Sequence, residues 1–223
     1  MRIVTWNCCR GSLDEKLAAA EALRPDLLIL QEAARPALAA SNQLWFGDNP
    51  RMGLLVAGYG ETKVTPGPSG PGQSAHAVVV GGRTDFHLLA VWAKPEPTYV
   101  DALAAAVAHH GDFLSGAPAV VAGDFNSNAI WDRPRGANDH SRVVQQLETD
   151  FGLVSAYHAS TGCAQGSEPH ATHYFRWQEA SPFHIDYCFV PRAWRIEQAH
   201  VGGFEEWKGL SDHRPLVVDV EAS

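Results

Sequence analysis

The chain has 223 residues, 45% hydrophobic and 19% charged, a composition that supports a packed domain and excludes a disordered chain. With 17 Lys and Arg against 25 Asp and Glu, the formal net charge of −8 argues against broad adhesion to nucleic acid or anionic membrane, but leaves room for a carboxylate-lined metal site. No run is long and apolar enough to span a bilayer, and Met1-Arg2 passes directly into a strand-like run rather than a leader, so a single cytoplasmic, monomeric domain over residues 1–223 is expected, without membrane association.

The first apolar run, Ile3-Val4-Thr5-Trp6, ends at Asn7. Ser12-Leu13-Asp14-Glu15 has the form of a capping box, and Leu13, Leu17, Ala20 and Leu23 follow at helical spacing until Arg24-Pro25 stops the helix. A strand over residues 26–31 leads to Glu32, and this strand-helix-strand opening predicts an α/β domain. Leu54-Leu55-Val56, Ala77-Val78-Val79-Val80 and residues 86–92 read as further strands, and the Pro- and Gly-rich residues 66–74 as a loop. Val100, Leu103, Val107 and Leu114 predict a second helix after Pro97-Thr98, and residues 140–151 a third. The strand Ala119-Val120-Val121-Ala122 lies between these helices, and Tyr174-Phe175, residues 185–190 and residues 216–220 close the fold. The four cysteines, Cys8, Cys9, Cys163 and Cys188, lack metal-like spacing and read as reduced thiols, with Cys8 and Cys9 on opposite faces of a strand.

Polar groups stand at the ends of these apolar runs, where a rigid scaffold can aim them into one cleft. In Gly123-Asp124-Phe125-Asn126, an extended backbone would face Asp124 and Asn126 to one side, while the same residue types are equally apt to make a turn. His184-Ile185-Asp186-Tyr187 puts a carboxylate into an apolar run, which is costly without a partner. His213, in Ser211-Asp212-His213, is the expected partner, in either a catalytic or a structural Asp–His pair. Glu32 is placed either to bind a hard divalent cation or to be a solvated strand end. Asn7 can bond a phosphate, orient Asp124 or begin a turn.

Taken in order, Thr5-Trp6-Asn7, Leu30-Gln31-Glu32, Gly123-Asp124-Phe125-Asn126, His184-Ile185-Asp186-Tyr187 and Ser211-Asp212-His213 resemble the endonuclease/exonuclease/phosphatase superfamily, which includes exonuclease III and deoxyribonuclease I. The resemblance spans nearly the whole chain. It implies a four-layer α/β/β/α sandwich of two facing mixed sheets flanked by helices, and phosphoester hydrolysis with magnesium or manganese (Mg2+ or Mn2+). Carried over position by position, it makes Glu32 the principal metal ligand, with Asn7 and Asp212 near the metal. Asp124 would activate water, Asn126 would orient it or the phosphate, and His213 would contact the scissile phosphate with Asp186 as its orienting partner. Whether Asp124 or His213 takes the proton is left open.

This chain has Trp92 where many relatives carry His or Tyr, and indole cannot exchange a proton as those groups do; Trp92 either stacks on a base or packs the core. Trp131, Arg133, Arg135, His140 and Arg142 form a candidate phosphate-contacting rim or a solvated loop. Trp92, Trp131, Arg133, Arg135 and His184 make up the candidate substrate-binding set. The expected activity is a nuclease or phosphodiesterase acting on nucleic acid or nucleotides. The alternatives are a phosphatase or phosphodiesterase of a small molecule or lipid head group, and a non-catalytic binding module, which should have lost a metal ligand or the Asp–His pair.

Overall fold

The computed structural model describes residues 1–37, 41–133 and 139–222. In strand β1 (Arg2–Asn7) every residue after Arg2 is buried, because the strand is covered on both faces and alternate side chains part between two cores. Ile3 enters a core shared by two sheets, whereas Val4 and Trp6 pack beneath helix α1 (Leu13–Glu21). The chain continues through β2 (Leu27–Ala33), β3 (Gln43–Asn49), β4 (Met52–Gly58), β5 (Lys63–Pro66), β6 (Ala75–Gly81), β7 (Phe86–Trp92), α2 (Tyr99–His109) and α3 (Gly111–Ser115). Then come β8 (Ala119–Asp124), α4 (His140–Asp150), β9 (Leu153–Ser155), α5 (Ala156–Thr161), β10 (His173–Tyr174) and β11 (Pro182–Phe183). The last elements are β12 (Asp186–Pro191), β13 (Arg195–Val201), α6 (Phe204–Trp207) and β14 (Leu216–Glu221).

Two six-stranded mixed sheets result, ordered β13-β14-β1-β2-β4-β3 and β5-β6-β7-β8-β12-β9, with β10 and β11 forming a short separate ribbon. Ile3, Ile29, Val56 and Val218 of the first sheet meet Val78, Leu88, Val120 and Cys188 of the second in the central core. The outer face of the second sheet, with Leu89, Val121 and Phe189, is covered by Leu103, Val107 and Leu147 of α2 and α4. The outer face of the first is covered by Ala20 of α1 and Trp207 of α6. These layers are the four-layer α/β/β/α sandwich.

Strand direction concentrates the polar ends. β1 runs parallel to β2 and antiparallel to β14, while β7 runs parallel to β8 and β8 antiparallel to β12. The C-terminal ends of β1, β2, β7 and β8 and the N-terminal ends of β12 and β14 therefore open at one edge of the sandwich. A hydrogen bond from Asn7 Nδ2 to Asp124 Oδ2, 2.9 Å, closes the two sheets across that edge.

Several local expectations are corrected. Ser12 is the residue before α1, but its exposed hydroxyl makes no cap hydrogen bond; only its carbonyl accepts, from Lys16 N–H at 3.1 Å. The second predicted helix is two, broken at His110 before Gly111, and its cap is Thr98, whose hydroxyl accepts Asp101 N–H at 3.1 Å. Cys8 and Cys9 lie beyond β1, and Cys9 has φ +52, so the pair sits on a turn rather than across a strand. All four cysteines are free thiols. Edge strands β3, β5, β9 and β13 were not legible, since one polar flank and, in β13, a register shift between Ile196 and Gln198 blur their alternation. Among the described residues no helix is long and apolar enough to cross a membrane.

Candidate active site

Asp124 ends β8 fully buried, in register with Trp92 of β7 on one side and Asp186 of β12 on the other. A buried carboxylate is costly unless donors meet it. Three do: Asn7 Nδ2 and Asn126 Nδ2 donate to Oδ2 at 2.9 and 3.0 Å, and Asn126 N–H donates to Oδ1 at 2.9 Å. Asn126 adopts φ +49, so the chain turns back on Asp124 instead of extending, and Phe125 packs against Phe189 and Tyr187. Turn and candidate site are thus one structure here. Gly123 at φ +144 is required, because a Cβ would collide with the Val91 carbonyl. Burial, then the nearby Asp186, push the Asp124 carboxyl up to about 7, against the pull of His213, Asn7 and Asn126.

His213 Nδ1 lies 2.9 Å from Asp186 Oδ2. Burial would lower the imidazole pKa, but the charges of Asp186, Asp124 and Asp212 and the Asp186 hydrogen bond outweigh it and hold His213 up at about 9. His213 is therefore an imidazolium at neutral pH, donating through Nδ1, while Nε2 has no hydrogen bond among the described residues. Asp186 Oδ1 is buried without a partner. Ligand atoms of Asp124, Asp186 and His213 all lie within 4.8 Å of one another.

Two supports were not foreseen from sequence. Thr172 Oγ1 accepts Ile185 and Asp186 N–H at 2.9 and 3.0 Å, and its carbonyl accepts Arg214 N–H at 2.7 Å, which ties Asp186 and the residue following His213 to one residue. Arg214 is buried with its guanidinium against both the Tyr174 and Phe204 rings, which also touch each other, and it donates to the Ser211 and His213 carbonyls at 2.7 and 3.0 Å. The only sequence signal for Arg214 was a charge at the mouth of the last apolar run. Ser211 joins the ends of β1 and β14 within the first sheet, donating to the Asn7 carbonyl at 2.7 Å and accepting His213 N–H at 2.9 Å.

Glu32 does not end its strand. It sits where the β2–β4 register shifts between Leu30 and Ala33, with φ +56, a costly backbone for a non-glycine residue that re-aims its carboxylate into the cleft. It accepts from Arg10 Nε at 3.1 Å and Asn7 Nδ2 at 3.4 Å. Across the cleft margin Asp212 lies 3.8 Å from His173; burial works against ionisation, but His173, His213 and Cys9 bring its carboxyl down to about 2. Glu32 and Asp212 line the cleft with Asp124 and Asp186 behind them, and their hard oxygens suit a divalent ion. Asn7 fits less well as a direct ligand, since its Oδ1 already accepts Cys9 N–H at 3.0 Å while its Nδ2 bridges Glu32 and Asp124.

Asn7, Glu32, Asn126, Asp212 and His213 line a cleft of about 830 Å3, with Asp124 and Asp186 buried behind them. Among the described residues five large apolar side chains are exposed, and four of them, Tyr99, Trp131, Phe175 and Trp177, line this cleft. Arg176 and Trp177 hold left-handed backbones, φ +54 and +62, which present Phe175 and Trp177 outward. Trp92 both packs in the central core and lines the cleft. Lys94, which the sequence reading passed over, lines the cleft half-buried beside the Trp92 indole; burial lowers its ammonium to about 7 although Glu32, Asp124 and Glu96 pull upward. A second hollow, of about 580 Å3, lies at the opposite sheet edge around Asp26, Arg83 and Glu221, remote from all of these groups.

Asn7, Glu32, Asp124, Asn126, Asp186, Asp212 and His213 come together as the sequence suggested, with Trp92 and Trp131 on the cleft wall. The basic rim does not assemble as drawn. His184 is buried away from the cleft, its Nδ1 on the His170 carbonyl at 2.8 Å, and burial lowers its pKa to about 4. His140 is buried at the start of α4 against Ser127, 2.9 Å, and Arg142 pairs with Asp139 at 3.7 Å. Arg133 is exposed and outside the cleft lining, and Arg135 lies outside the described residues.

A model of the Endonuclease/Exonuclease/phosphatase family matches residues 4–213. No curated protein matches the chain in sequence. Among solved structures, the chain is similar to the 3' phosphatase NExo from Neisseria bound to product DNA hairpin, with 19% identity, 100% of each chain covered and a TM-score of 0.71. It is also similar to the endonuclease domain of TRAS1, a telomere-specific non-LTR retrotransposon, with 17% identity, 99% of this chain and 97% of that chain covered, and a TM-score of 0.73. The human Nocturnin catalytic domain with bound sulfate gives 17% identity, 100% and 94% coverage, and a TM-score of 0.69. At these identities the structural likeness speaks for the fold.

Proposed function

The chain belongs to the endonuclease/exonuclease/phosphatase family, whose members hydrolyse phosphoester bonds, and on that premise we propose that it is a divalent-metal-dependent phosphodiesterase acting on nucleic acid or nucleotides. The observation that carries this reading is the juxtaposition of Asp124, oriented by three donors, with an imidazolium whose Nε2 is open to the cleft. Water adds to phosphorus, its proton passes to Asp124, the ester P–O bond breaks, and the leaving oxygen takes up a proton to depart as an alcohol while Asp124 gives its own up to solvent and returns to the carboxylate. Asp124, pushed up to about 7, suits the base; His213, held at about 9, suits a charged donor to a phosphoryl oxygen rather than a base. Asp186 keeps His213 charged and oriented. Glu32 and Asp212, with Asn7 bridging Glu32 to Asp124, are the residues that would hold magnesium or manganese, which supplies neutralisation of phosphoryl charge when bound.

The exposed aromatic rim supports a substrate with bases, since rings offer stacking surfaces without sequence readout. A small phosphoester is the second reading, favoured by the net charge of −8 and by Arg133 and Arg142, which do not line the cleft. The deciding experiment supplies the purified chain and magnesium or manganese with single- and double-stranded DNA, abasic DNA, RNA, phosphoinositides and a generic phosphodiester, with Glu32→Ala as control. Cleavage of nucleic acid that disappears in the control supports the proposal. Turnover of the small phosphoester alone moves the substrate, and no hydrolysis of any ester defeats the reading.

A further inference from the structure

Lys94 lines the same cleft as Glu32 and Asp212, with Arg176 and His213 among its other basic side chains, yet no hydrogen bond or ion pair holds its Nζ among the described residues; it rests against the Trp92 indole. Half-burying a charge without a partner has a standing cost that an apolar side chain of the same length would avoid. Its position is nonetheless tightly fixed. Lys94 N–H donates to Ser74 Oγ and Trp92 N–H to the Ser74 carbonyl, both at 2.9 Å. Between them, Ala93 N–H donates to the Asp124 carbonyl at 2.9 Å, and the Ala93 carbonyl accepts Asn126 Nδ2 at 3.3 Å. The segment carrying Lys94 is therefore bonded to the two residues that build the centre of the site.

The sheet order sets the direction. β8 lies between β7 and β12, so Asp124 has Trp92 beside it on one flank and Asp186, with His213, on the other. We infer that Lys94 binds the phosphoryl group of the substrate from the flank of Asp124 opposite His213. This rests on the phosphoester reading and deepens it. A phosphoryl group that reacts at Asp124 then has a cation on each flank, His213 from the β14 side and Lys94 from the β7 side, in place of a single contact. Trp92 has no charge to offer a phosphate; it gives the lysine stem an apolar face and parks the ammonium until an anion draws it away.

Two readouts separate this inference from the function it rests on. Inorganic phosphate is titrated by calorimetry into the magnesium-loaded protein, as wild type, Lys94→Met and Lys94→Arg, and the same proteins are assayed on bis(p-nitrophenyl) phosphate. Lys94→Met, close in length and without charge, is expected to weaken phosphate binding roughly tenfold or more and to lower kcat/KM, while Lys94→Arg retains most of both. Equal phosphate affinity in wild type and Lys94→Met, or no phosphate binding by the wild type, overturns the inference. Lys94-dependent phosphate binding without hydrolysis of any phosphoester defeats the proposed function and leaves Lys94 as a phosphate contact. Hydrolysis that is indifferent to Lys94→Met does the reverse. The thermal unfolding of each variant identifies a loss caused by misfolding, in which case Lys94→Gln replaces Lys94→Met.

Discussion

Two carboxylate–imidazole pairs of equal length lie in this molecule, His213 with Asp186 at the cleft and His158 of α5 with Glu168, each at 2.9 Å. Around His158 the polar atoms answer one another: Nδ1 meets Ser155 Oγ at 2.7 Å, and Glu168 also accepts Gly166 N–H at 2.9 Å and Asn128 Nδ2 at 3.1 Å. In the other pair, Asp186 Oδ1 and His213 Nε2 have no partner among the described residues. The same two-residue unit thus serves structure where its valences are closed and is available for chemistry where they are open. Distance within the pair does not separate the two roles; the atoms facing outward do.

The largest effect expected from that difference is catalytic. His213→Ala should reduce kcat by on the order of 10²–10⁴ while keeping a cooperative unfolding transition, whereas His158→Ala should leave kcat within several-fold and cost roughly 1–3 kcal/mol of stability. Steady-state rates beside urea unfolding decide it, and a folded but inactive His158→Ala protein would break the distinction. Asp124→Asn combined with His213→Ala sharpens it: two residues acting on one transition state should give a double mutant little worse than the poorer single one. Multiplying losses would assign them to separate steps.

Next in size is the metal response. Magnesium or manganese at about a hundredfold its Kd should stabilise the wild type by about 2.7 kcal/mol, and both this shift and turnover should vanish in Glu32→Ala. Turnover that survives a chelator would sink the assignment. The pH dependence of the metal-free protein should distinguish the two pairs by sign. His213 is raised from 6.5 to about 9, so its stabilisation is complete below 6.5 and is lost as pH rises through 9; Asp124, raised from 3.8 to about 7, also loses stability as pH rises. Glu168 is lowered from 4.5 to about 2, because hydrogen bonds from His158, Gly166 and Asn128 outweigh burial, so its stabilisation is present above 4.5 and is lost as pH falls toward 2. Urea midpoints from acid to alkaline pH should show His213→Ala flattening the alkaline limb. Glu168→Gln should flatten part of the acid limb, by up to about 3 kcal/mol, with Asp212 carrying another part. A Glu168→Gln curve parallel to wild type would falsify the closed-network account.

The smallest effects belong to the rim. Trp131→Ala and Trp177→Ala should each weaken binding of a labelled single strand by roughly 1–3 kcal/mol, the range of one base-stacking contact, without changing the rate on a small diester. Unchanged strand affinity in both would favour the small phosphoester.

What could be read along the chain was what runs and their ends encode. The Ile3, Leu27, Ala119 and Leu216 strands are short apolar segments, and the motifs at their mouths named Asn7, Glu32, Asp124, Asn126, Asp186, Asp212 and His213, although the roles of those residues came through family resemblance rather than spacing. His184, in one of the same motifs, shows the limit: neighbours in a strand can point to different environments, and only packing decides which reaches the cleft. Lys94, Thr172 and Arg214 carried no local signature, since an isolated Lys, Thr or Arg beside an apolar run is commonplace. The left-handed backbone at Glu32 was equally invisible, whereas the turn at Asn126 was one of two readings that the Gly-Asp-Phe-Asn residue types allowed. Local sequence determined which segments would be strands and which residues would stand at their ends. The tertiary structure decided which of those ends meet, because a contact such as Asn7 with Asp124 joins residues 117 positions apart, and its geometry follows from strand order and direction rather than from either residue's neighbours.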